Sequence, residues 1–86
     1  MDRATTRIKK CLDGALPYSE LTKFEKSAMS IHIYFRASAM LEMSREDMAK
    51  AGQQLPPDIR DLVRDECKRL LEYRRLERNG ISQQKE

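Results

Sequence analysis

The sequence predicts a small all-α domain, a helical bundle built on an antiparallel pair of long helices. Three observations carry this expectation. Apolar residues recur at spacings of three and four along most of the 86 residues. The three glycines and three prolines fall between these periodic stretches or at their ends. Charged residues make up 36% of the chain and are spread along it, as a solvated helical surface requires.

The first helix is expected over residues 2–12. Ile8, Cys11 and Leu12 give it a small apolar patch, while Arg3, Arg7, Lys9 and Lys10 read as a solvated basic face. Asp13-Gly14 ends it, because glycine supplies a left-handed cap. Pro17 marks the turn that follows.

The long helix, about 22–43, organises the chain. Thr22-Lys23-Phe24-Glu25 fits a capping box, in which hydroxyl and carboxylate each satisfy the other residue's amide. Leu21, Phe24, Ala28, Ile31, Phe35 and Ser38 form one heptad seam. Met29, Ile33, Ala37 and Met40 form a second apolar row. Two rows make a stripe wider than a surface helix needs, so cover from two sides is expected.

Ser44 caps a short connecting segment, Arg45 to Ala51, stopped by Gly52. Leu55-Pro56-Pro57 breaks the chain, and the second proline suits the first turn of a new helix. That last helix is expected over about 57–78. Ile59, Leu62, Val63, Cys67, Leu70, Leu71 and Leu76 make its apolar face. Asp58 and Asp61 favour its start, and Arg74, Arg75 and Arg78 its end. Asn79-Gly80 stops it, leaving 81–86 as a frayed tail.

One domain, 1–86, follows from the length. A chain this short buries only ~60% of its unfolded surface, so a partner or a second copy is expected to stabilise it. The second apolar row of the long helix, Met29, Ile33, Ala37 and Met40, is then left for a twofold partner, which gives a homodimer. The formal net charge of +3 permits an acidic or nucleic-acid partner without requiring one. The longest apolar run, Ile33-Tyr34-Phe35, is far short of a membrane span, and a polar opening at Met1-Asp2-Arg3 points to the cytoplasm. Cys11 and Cys67 both fall on apolar rows and read as buried reduced thiols.

No catalytic, cofactor-binding or metal-ligating constellation is present in the sequence. The lone histidine, His32, reads as a structural residue of an apolar helix. There is no phosphate-cradling glycine loop, nucleophile elbow or zinc spacing, so neither an enzyme nor a small-molecule substrate is expected. The short segment before the last helix loosely mimics a helix-turn-helix DNA reader. Its Pro-Pro connection and the acidic Asp58 and Asp61 argue against that. Arg60, Arg64, Lys68 and Arg75 form a basic stripe balanced by Asp61, Asp65 and Glu72.

The run from Leu21 to Ile31, Leu-Thr-Lys-Phe-Glu-Lys-Ser-Ala-Met-Ser-Ile, resembles the opening of the plasmid copy-number regulator family Rop. The resemblance continues to Arg36. It implies an antiparallel helical hairpin that dimerises into a four-helix bundle and binds paired RNA loops. The family's RNA-contacting positions fall on Lys23, Ser30, Tyr34, Ser38 and Arg45, with both family amides replaced by serine. Its seam would fall on Ala28, His32, Phe35, Ala39 and Glu42.

The function expected from the residues is a non-catalytic regulator or adaptor that binds protein through a helix face, as a homodimer. Phe24, Ala28, Ile31, Phe35 and Met40 are its interface residues. The alternative is a Rop-like RNA-binding bundle using Lys23, Lys26, Tyr34 and Arg45, with RNA favoured over DNA.

Overall fold

In the computed structural model the backbone is described for residues 2–84 and the side chains for residues 2–79. Among the described residues every regular element is helical: α1 (Arg3–Leu12), a single 3₁₀ turn (Tyr18–Glu20), α2 (Lys23–Leu41), α3 (Arg45–Gln53) and α4 (Pro57–Gln84).

α1 starts at Asp2, whose Oδ1 accepts from the Thr5 amide at 2.8 Å. That amide bond holds the Asp2 carboxyl below its ordinary value. The helix ends as expected, with the Ala15 amide reaching back to the Lys10 carbonyl at 2.8 Å. Gly14 takes φ +86°, and a Cβ there would also sit 3.3 Å from Pro56 Cγ. Glycine is thus required both by conformation and by the close approach of the α3–α4 link.

The capping box of α2 is formed. The Glu25 amide donates to Thr22 Oγ1 at 3.1 Å, and Glu25 Oε1 accepts from the Thr22 amide at 2.8 Å. The second oxygen, Oε2, accepts from Arg7 Nε at 2.8 Å. Arg7 also donates to the Glu20 carbonyl at 2.9 Å. Arg7 therefore does not stand on a solvated face. It ties α1 to the start of α2. The Thr22 amide and Arg7 together hold Glu25 below the ordinary glutamate range, against a smaller opposing effect of burial.

Two boundaries differ from expectation. Gly52 stays helical within α3, where a Cβ would meet Met40 Cε at 3.9 Å, and α3 ends only at the Gln54–Pro56 link. Asn79-Gly80 does not stop α4, which runs to Gln84. A glycine inside a helix costs only about 1 kcal/mol relative to alanine, which weakens a helix without ending it. The expected frayed tail thus begins inside a continuing helix, and 85–86 lie outside the described residues.

The expected antiparallel pairing of α2 with α4 is not found. Contacts between them rise together in sequence. Ala37 meets Cys67 through a thiol donating to a carbonyl at 3.7 Å, and Glu42 meets Arg74 at 3.8 Å. Further down, the Tyr18 amide donates to Asp58 Oδ2 at 2.9 Å. α2 and α4 therefore run in the same sense. The reason is α3, which acts as a return stroke. It covers about 14 Å at ~1.5 Å per residue, and the turn through Gln54 and Leu55, closed by the Leu55 amide on the Gly52 carbonyl at 3.2 Å, leads the chain on to Pro56. That brings the chain back to the lower part of α2 before α4 begins.

The core is Ile8, Cys11, Leu21, Met29, Ile33, Ala37, Ile59 and Val63. The row of α2 expected to face a twofold partner is instead the one buried within the chain: Met29, Ile33 and Ala37. The expected principal seam is mostly outside: Phe24, Ile31 and Phe35 are exposed, Ala28 is half-buried, and only Leu21 is buried. Ala37 decides the matter, because its small side chain lets α4 approach the α2 backbone. His32 is exposed rather than a core residue, and Leu71 and Leu76 are exposed on the far part of α4.

Met29 is fully buried at the centre of this core. Met29→Ala should lower stability by about 2–5 kcal/mol, read as a lower midpoint in chemical denaturation. Glu25 gives a second expectation. Its folded pKa lies below the ordinary 4.5, so its stabilising effect is fully present above that value and fades as pH falls through the folded one. Denaturation midpoints followed from about pH 6 to about pH 3 should fall for the native chain, and fall less for Glu25→Gln.

Candidate protein-binding interface

α2 turns through ~100° per residue, so Phe24, Ala28, Ile31 and Phe35 share one side of it, opposite Met29, Ile33 and Ala37. α1, α3 and α4 all touch α2, and its buried apolar residues are Met29, Ile33 and Ala37. The outward side is left with Phe24 73%, Ile31 58% and Phe35 64% exposed. Tyr34 flanks this stripe, its ring meeting that of Phe35 edge-on at 5.7 Å and 68°. From Ser27 to Phe35 the helix carries no lysine, arginine, aspartate or glutamate. A line of large apolar groups in a charge-free setting is what a partner helix needs, since burying a charge there would cost several kcal/mol.

The five expected interface residues do not all lie together. Phe24, Ile31 and Phe35 form the outward stripe. Ala28 packs partly against the core beside it. Met40 turns to the other flank, where it lines a shallow groove of about 300 Å³ with Arg36, Met43, Ala51 and Leu55. Tyr34, which sequence reasoning assigned to RNA, instead continues the aromatic edge of the stripe.

The candidate nucleic-acid residues are more scattered. Lys23 is exposed in the first turn of α2. Lys26 places its ammonium 5.3 Å from the centre of the Tyr18 ring, an internal cation–π contact. Arg45 opens α3, beyond the opposite end of α2. The basic stripe on α4 is largely engaged. Arg64 meets Asp61 at 3.5 Å, and Arg60 donates to the Gly52 carbonyl at 2.9 Å. Arg69 and Arg75 grip Glu66 and Glu72 with two bonds each. Arg69 in turn holds the Glu66 carboxyl below its ordinary value.

Among the described residues no cluster of histidine, cysteine, aspartate or glutamate is arranged to hold a metal ion. Cys11 is fully buried and its thiol is pushed up by that burial; both cysteines are free. Among the same residues no helix is long and apolar enough to cross a membrane. Neither a protein-family model, nor a curated protein, nor a solved structure matches the chain.

Sequence reasoning missed the junction that sets the stripe's position. Thr22 and Glu25 were legible as a cap, but the link from Arg7 to Glu25 joins residues 18 apart. An arginine on a helix with several other cations carries no local sign of which one is committed.

Proposed function

We propose that this protein is a small non-catalytic adaptor or regulator that works by binding protein through the outward side of α2. The observation that carries this reading is the line of Phe24, Ile31 and Phe35 standing in solvent opposite the core. Each such side chain gains about 1.5–3 kcal/mol when removed from water. Large aromatic and aliphatic groups at the centre of a contact dominate binding energy. A binding event that covers all three also suits a chain whose own core holds few large side chains.

Phe35 is the anchor on which the reading depends. Phe35→Asp places a charge in the middle of the contact while sparing the buried half of α2. Helicity should be unchanged, and association, read as solution mass or partner capture, should weaken at least tenfold, a loss of ~1.4 kcal/mol or more. A folded Phe35→Asp protein with the native chain's mass and partner capture would sink the proposal.

The second reading, RNA binding through Lys23, Tyr34 and Arg45, is favoured only by the exposed Tyr34–Phe35 aromatic pair. Affinity for a structured RNA that falls steeply with added salt would support it. Absence of binding at low salt would remove it.

A further inference from the structure

We infer that the occupant of the outward side of α2 is a second copy of this chain, lying antiparallel across it with Ile31 on the twofold axis. The inference rests on the protein-binding reading above and specifies its partner. It comes from the order of large and small side chains along the stripe. Large groups stand at Phe24, Ile31 and Phe35, and small ones at Ser27, Ala28, Ser38 and Ala39. Ser27 and Ala39 are exposed, Ala28 is half-buried beside the core, and Ser38 borders an open groove with Tyr34, Leu70 and Tyr73.

An antiparallel twofold through Ile31 sets Phe35 of one copy opposite Ser27 of the other. It sets Phe24 opposite Ser38, and Ile31 opposite itself. Each phenylalanine then enters a hollow lined by small groups, Phe35 at Ser27 beside Ala28 and Phe24 at Ser38 beside Ala39, while the two Ile31 side chains meet each other on the axis. A parallel pair in register would instead stack phenylalanine on phenylalanine and leave the Ala28 and Ser38 layers hollow, which costs stability in proportion to the void. The helix dipoles also oppose one another in the antiparallel arrangement. An isologous contact of this kind closes on itself and needs no second surface.

The exposed area is of the right order. A compact monomer of 10.1 kDa exposes about 5,300 Å², whereas this chain exposes 6659 Å². The stripe on α2 and the exposed part of α4 both contribute to the surplus. A specific dimer hides about 800 Å² per partner, which lies within that surplus.

Cysteine scanning reads the arrangement directly. In full-length protein, Ile31→Cys brings two thiols together on the axis, within the ~4.4–6.8 Å Cα separation of a disulfide. Under mild oxidation it should run as a covalent dimer, well above the background set by the native Cys11 and Cys67. Phe24→Cys alone should not, since its two copies lie about 21 Å apart along antiparallel helices. Mixing Phe24→Cys with Ser38→Cys should restore cross-linking. Ser27→Arg, which fills a hollow on the exposed side without touching the core, should keep native helicity and weaken self-association at least tenfold by light scattering.

Phe24→Cys cross-linking as well as Ile31→Cys would overturn the antiparallel register. A Ser27→Arg protein that dimerises like the native chain would do the same. A native chain that stays monomeric at every concentration would remove the second copy as occupant. The Phe35→Asp capture experiment would then still decide whether the same stripe binds another protein.

Discussion

Both carboxylate oxygens of Glu25 are committed, one to the amide that opens α2 and the other to Arg7 of α1. Among the described residues it is the only buried charged side chain, and none of its bonds is idle. A buried carboxylate with one partner removed would be costly, so the three groups hold one another in place. The start of α2 and the seat of α1 are thereby fixed together. With α1 seated, Ile8 and Cys11 enter the core from one side, and α4 enters from the other through Ile59 and Val63. The half of α2 left over is the half that carries Phe24, Ile31 and Phe35. The candidate interface is thus a by-product of where the Glu25 junction turns the helix.

The helices themselves were legible because their signals are local. Thr22 with Glu25, Asp13 with Gly14, and Pro56 with Pro57 each act within a few residues, and each marks an element boundary in the structure. The two faces of α2 were legible as well, but not which of them is inside. Size favoured the phenylalanine row as the core. Close packing favoured the other row, since Ala37 admits the α4 backbone where a phenylalanine would hold it away. That choice depends on the neighbour and is invisible in α2 alone. The relative sense of α2 and α4 was lost for a similar reason. Residues 45–51 looked like a corner between two long helices, whereas α3 is a helix in its own right that carries the chain back along α2 before α4 begins.

Of the candidate site, the outward residues Phe24, Ile31 and Phe35 could be named from spacing. Met40 was read both in the second apolar row and as an interface residue, and only the first holds: it packs half-buried against the core. The basic stripe of α4 was legible as balanced by nearby carboxylates, and in the structure Arg64, Arg69 and Arg75 each meet one within a turn of the same helix. Such exposed pairs add little stability, yet they reduce the positive charge available to a phosphate.

The parallel sense of α2 and α4 carries a further consequence for any assembly. From Leu71 to Asn79 every residue of α4 is exposed, and beyond the Arg74–Glu42 contact at the end of α2 the helix runs on like a mast. Because it points the same way as α2, two chains crossed head to tail would raise their masts at opposite ends. The assembly would be a short bar with an arm at each tip, each bearing Tyr73 and Leu76 to the solvent. Whatever grips those arms would be held apart by the length of the bar, so the pair would act as a ruler between its two targets.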